Sequence, residues 1–185
     1  MTLHADVAEL LAEAGILDVD VDEAVADEQH ARLSAYLRVV SVIASSRSRD
    51  RDRAIVATIL RDPDEMGSKT AVVALVDEIA WKVTGPAEFR RWSAELLPEI
   101  DQLKTEQFRE FIRRRIHDWL FYLSIKDGHV PTSAELAEVT DWMQRFLAEH
   151  STSLAVLALV AESANTRKTR NIAKNRAGIR KLRTQ

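Results

Sequence analysis

Cysteine is missing from all 185 residues, which rules out disulfides, thiolate nucleophiles and thiolate metal sites and suits a reducing compartment. Glycine and proline are scarce, at five and four; a backbone cradle for phosphates is hard to assemble from so few. No Gly-x-Gly-x-x-Gly, phosphate-loop lysine or nucleophile elbow occurs, which disfavours a nucleotide enzyme. Apolar stretches are short: the most apolar, 154–161, has the length of a core helix, well under the ~18 residues of a membrane span. The opening residues, with Asp6, Glu9 and Glu13, lack the basic start and apolar run of a secretion signal. A cytoplasmic protein with no membrane partner is the expectation.

What is present is a helix-forming palette. The chain is 46% hydrophobic and 30% charged, with Ala, Leu, Glu and Arg prominent and β-favouring residues in the minority. Its length suits one hydrophobic core, so the expectation is an all-α, single-domain multi-helix bundle of about seven or eight helices over residues 1–165, followed by a basic C-terminal extension over 166–185. Leu3, Val7, Leu10, Leu11 and Ala14 recur at helical spacing between a Thr2 cap and a Gly15 stop. Further helices are expected over 22–45, 54–60, 66–83, from Pro86, and in a long central segment from Ile100 to near Gly128. Pro98 is expected to kink or divide the pattern. Thr132 and Glu135 form a capping box for a helix carrying Leu136, Val139, Trp142, Met143, Phe146 and Leu147, and Ser151 or Thr152 opens the last core helix.

One hairpin has a resemblance. In Ile59, Leu60, Arg61, Asp62, Pro63 and Asp64, followed by Ala71, Ala74 and Leu75, the turn and the second-helix spacing resemble a HEAT-type repeat over about 25 residues. The valine and basic pair usual after such a turn are absent, and the pattern does not recur, so it reads as a HEAT-like hairpin within the bundle. The resemblance implies a binding surface rather than an active site.

Candidate chemistry is sparse. Asp18, Asp20 and Asp22 have the spacing that opens a calcium loop, but Glu23 stands where Gly is needed and Gln29 where a bidentate Glu is needed; alternating carboxylates before a helix N-terminus explain them without a metal. The five histidines show no i, i+3 or i, i+4 pairing with each other, so no metal or catalytic set emerges, and no cofactor is implied. Trp81, Trp92, Trp119 and Trp142 read as core anchors. Arg113, Arg114 and Arg115 on the central helix fan across about 200°, so one is expected to turn toward the core while the others pair with Glu106 or Glu110. Arg113, Arg114 and His117 form a secondary candidate anion site, beside Trp119.

Charge is sorted to the two ends. Residues 1–31 hold nine carboxylates and no Lys or Arg, whereas eight cations and no acid follow Glu162, giving a net −3 overall. The cations are Arg167, Lys168, Arg170, Lys174, Arg176, Arg180, Lys181 and Arg183, with Asn165, Asn171 and Asn175 between them. Such a segment, helical or disordered, seeks an anionic surface. The leading expectation is a non-enzymatic interaction or assembly protein whose acidic end and basic tail dock within one chain, with a second copy, or with another protein. The alternative is a nucleic-acid-binding accessory protein using the tail on phosphates; the 151–163 helix, a short turn and the cationic helix resemble a helix-turn-helix, without a glycine in the turn. The third class is an enzyme or small-molecule binder with a pocket among the helices.

Overall fold

A computed structural model describes residues 2–26 and 30–183, with side chains described as far as Ile179. Among the described residues the protein is all-helical, with eleven helices and no strands. They are α1 Leu3–Glu13, α2 Val21–Ala26, α3 His30–Ser45, α4 Asp52–Leu60, α5 Glu65–Lys82, α6 Pro86–Ile100, α7 Glu106–Lys126, α8 Ser133–Glu138, α9 Asp141–His150, α10 Leu154–Ser163 and α11 Arg167–Arg183. No helix among the described residues is long and apolar enough to cross a membrane. The residues fall into two compact units, Met1–Ile116 and His117–Gln185, divided inside α7.

The helix count exceeds the expected seven or eight for three local reasons. The segment expected as one helix over 22–45 contains α2 and α3. The segment opened by Thr132 is α8 and α9, because Thr140 leaves helical geometry and its side chain accepts a hydrogen bond from the Met143 N–H, capping a new helix. The basic segment supplies α11. Pro98, expected to kink or divide, instead sits in the last turn of α6, which continues to Ile100.

In the first unit, Val39, Val40 and Ile43 of α3 are buried, as are Val72, Leu75, Val76 and Ile79 of α5, which packs along it. Ile55, Val56 and Ile59 of α4 and Phe89, Trp92 and Leu96 of α6 complete this core; each such side chain contributes roughly 1.5–3 kcal/mol by leaving water. Thr2 caps α1 and Gly15 takes a positive φ of 68° just past its end, as the sequence pattern requires. The α4–α5 hairpin holds a buried polar knot in its turn. Arg32 pairs with Asp62 at 2.7 Å, Tyr36 donates its hydroxyl to Asp62 at 2.6 Å, and Asp62 also accepts the Asp64 N–H. Burial, and then the hydrogen bond to Asp62, push the Tyr36 hydroxyl far above the usual range, so it stays a donor. Asp64 in turn caps α5, and Gly67 leaves it room: a Cβ there would stand 2.7 Å from the Asp64 carboxylate.

The run over residues 47–53, whose alternating signs suggest a solvated turn or a helix start with local pairing, is the latter: Arg49 pairs with Asp52 where α4 begins, and Asp52 is buried. Asp52 opens α4 from inside the core, taking hydrogen bonds from Trp92 Nε1 at 2.8 Å and from Arg49 at 3.1 Å. Burial raises its carboxyl above the ordinary range, against those two donors.

Candidate functional site

The second unit positions the basic helix. Its core is built from Trp119, Leu123, Leu136, Val139, Met143, Leu147, Val156, Leu157, Val160, Ala164 and Ala173. Asp118, buried at the start of this unit, accepts hydrogen bonds from both the backbone N–H and the hydroxyl of Thr140, and so fixes the break between α8 and α9. Gln144 on α9 donates to the carbonyls of Leu136 and Val139 and accepts the Asn165 N–H at 2.8 Å. Asn165 also donates to Asp141 at 2.7 Å. The three-residue turn over 164–166 is therefore pinned to α9 by two side chains. Thr166 then caps α11 by accepting the Thr169 N–H.

The turn lies where the sequence divides body from extension, inside the second compact unit, and α11 packs against α9 and α10. Its inner face is Thr169 and Ala173, both buried, small enough to let the helix sit close.

The cations of α11 divide into two kinds. Arg170 donates to the carbonyls of Ala164 and Asn165, and Arg176 donates to the carbonyl of Ala148 at 2.8 Å. The Ala148 carbonyl lies in the last turn of α9 and the Ala164 carbonyl at the C-cap of α10, where helices leave acceptors without an internal partner and the dipole favours positive charge, and Asn165 follows in the turn. Both arginines thus fasten the helix. Arg167, Lys168 and Lys174 are exposed, and among the described residues none of them has a carboxylate partner. With Asn171 and Asn175, also exposed, they form one strip at i, i+1, i+4, i+7 and i+8 along α11. The side chains of Arg180, Lys181 and Arg183 lie outside the described residues.

The second unit also holds an aromatic group. Trp119 meets Trp142, Phe146 and Tyr122 edge-on at 5.8, 5.3 and 5.6 Å between ring centres, and Phe146 stacks on His150 at 4.3 Å. Trp119 and Trp92 are buried as core anchors, whereas Trp81 and Trp142 are 48% and 37% exposed. Helix register alone did not separate these two pairs.

The other sequence candidates are taken up individually. Arg113 pairs with Asp101 and Arg114 with Glu110, while Arg115 is the member turned inward, 3.5 Å from Asp77. His117 is exposed. Asp18, Asp20 and Asp22 do not converge: Asp18 binds Arg38 at 2.6 Å, Asp20 accepts the N–H groups of Asp22 and Glu23 at the start of α2, and Asp22 meets His4. The hydrogen bond from Arg38 holds the Asp18 carboxyl below its usual range. Among the described residues no cluster of His, Asp or Glu is disposed to hold a metal ion. The first unit carries clefts, one of about 860 Å³ between Leu3, Asp6, Arg61, Glu65, Lys104 and Phe108.

Among the described residues the protein is all-α, and its basic helix α11 is held in place by Arg170 and Arg176. Comparison with protein-family models, with curated proteins and with solved structures finds no match to the chain.

Proposed function

We propose that this chain is a non-enzymatic binding protein that engages nucleic-acid phosphates through the outer strip of α11. The observation that supports this reading is the division of labour among the α11 cations. Arg170 and Arg176 are occupied in holding the helix; Arg167, Lys168 and Lys174 are held outward with asparagines between them. A rigidly mounted row of cations gives counterion release on an anionic polymer without the cost of ordering a loose tail. The unit from His117 to Gln185 carries ten basic and seven acidic residues, a net +3, and the unit from Met1 to Ile116 sixteen basic and twenty-two acidic, a net −6. Screening over about 8 Å at physiological salt lets the local positive field govern the approach of a phosphate chain. The test is fluorescence anisotropy of mixed-sequence DNA and RNA with the full chain and with R167A/K168A/K174A. Salt-sensitive binding by the wild type, lost in the variant at unchanged thermal stability, is the expected result. No binding by the wild type, or equal binding by both proteins, refutes it.

Head-to-tail assembly is the second reading, favoured by Glu9 and Glu13, which are exposed and without ion pairs among the described residues. An acidic face and a basic face on one chain make a heterologous contact. Light scattering at low salt distinguishes the two: E9Q/E13Q lowers the mass if the readings divide this way, and leaves nucleic-acid binding intact.

A further inference from the structure

We infer that the ligand of α11 is B-form double-stranded DNA, entered through the major groove, with Asn171 and Asn175 reading base edges and Arg167, Lys168 and Lys174 holding phosphates; this rests on the nucleic-acid reading above and narrows it. The helix carries no aromatic residue. Single strands are held chiefly by aromatic rings on which bases stack, and aromatic rings are what this strip lacks. Double-stranded RNA closes its major groove to side chains and offers a shallow minor groove instead. The B-DNA major groove, about 12 Å wide, accepts an α-helix, and the strip from Arg167 to Asn175 runs about 12 Å along the axis at about 1.5 Å per residue.

The side-chain chemistry favours the same ligand. An asparagine amide offers one donor and one acceptor side by side, the complement of adenine N7 and N6 in the major groove. Asn171 and Asn175 are one helical turn apart, both exposed, and Lys174 lies beside them; Arg167 and Lys168 precede them by one turn. Long cationic side chains flanking short amides suit a helix whose centre line faces bases and whose flanks face the two phosphate backbones. Beyond Asn175 the next exposed positions are Gly178, with open space where a Cβ would be, and Ile179, 53% exposed, which can pack on a thymine methyl. The mounting is rigid, since Thr166, Asn165 and Gln144 fix the entry to α11 and Arg176 fixes its middle, and a rigid helix is what base reading requires.

The experiment compares the full chain on a mixed-sequence DNA duplex, the corresponding single strand and the corresponding RNA duplex, and follows with selection from a pool of DNA duplexes randomised at the centre. The expected result is at least about tenfold tighter binding to the DNA duplex, interference by methylation of guanine N7, and an adenine-containing preference that N171A/N175A flattens by about tenfold while leaving the salt dependence as it was. Equal binding to all three probes, or a preference unchanged in N171A/N175A, overturns the inference and leaves the broader phosphate-binding reading standing. Binding to none of them ends both. Retained helicity and thermal stability in N171A/N175A show that the readout concerns recognition rather than folding.

Discussion

The first unit and helix α11 use arginine differently. In the first, many arginines are matched to carboxylates, Arg32 with Asp62, Arg38 with Asp18, Arg49 with Asp52, Arg53 with Glu99, Arg61 with Asp6 and Arg113 with Asp101, although Arg109 donates to the carbonyls of Leu103 and Lys104. In the second, the described α11 arginines with contacts, Arg170 and Arg176, go to backbone carbonyls at helix ends, and the remaining described cations of α11 face outward. Pairing with a carboxylate cancels charge, whereas capping a carbonyl leaves a full positive charge on the surface of the unit. Cationic character in α11 is thus compatible with tight packing, and the helix both closes a core and stays electropositive.

Substitutions sharpen this contrast, and the largest effect belongs to the first unit. Asp62→Ala strips Arg32 of its carboxylate, Tyr36 of its acceptor and the Asp64 N–H of its partner; chemical denaturation should show a loss of about 3–5 kcal/mol, the cost of an uncompensated buried charge. Arg176→Ala removes a charged hydrogen bond to a helix-end carbonyl, and about 1.5–3 kcal/mol should go with it. In the same denaturation series Asp52→Ala, which leaves Trp92 Nε1 without its acceptor, should cost about 1–3 kcal/mol. Lys168→Ala, on the same helix as Arg176, should stay within about 0.5 kcal/mol of wild type. If Arg176→Ala and Lys168→Ala prove alike, the distinction between fastening and presented cations is wrong.

Asp52 also supplies a pH dependence. Burial raises its folded-state carboxyl, so the folded protein holds that proton to higher pH than the unfolded chain does. Its contribution is fully present below the unfolded pKa and is lost as pH rises through the raised folded value. Asp52→Asn keeps an acceptor for Trp92 and should remove this dependence, as melting temperatures across the acidic range would show.

What could be read from the residues in advance was whatever is settled locally. The Thr2 cap, the Gly15 stop and the Thr132–Glu135 capping box each involve partners within a turn, and each is present. The break at Thr140 was not legible, because the carboxylate that fixes it, Asp118, lies twenty-two residues earlier. The burial of Asp52 was not legible for the same reason: its alternating-sign neighbours suggest a solvated turn or a helix start with local pairing, and the indole that bonds it is forty residues away. In the candidate site the list of cations was legible and their division was not. Arg176 differs from Lys174 only through the Ala148 carbonyl brought beneath it by the packing of α9 on α11.

The central claim is that Arg167, Lys168 and Lys174 are presented for phosphates and have no part in holding the fold. Measuring duplex-DNA affinity against salt concentration for the wild type and R167A/K168A/K174A tests it directly. The account expects the slope of log affinity on log salt to fall by about three with the melting temperature unmoved. An unchanged slope, or a lower melting temperature that accounts for the loss of binding, would contradict it.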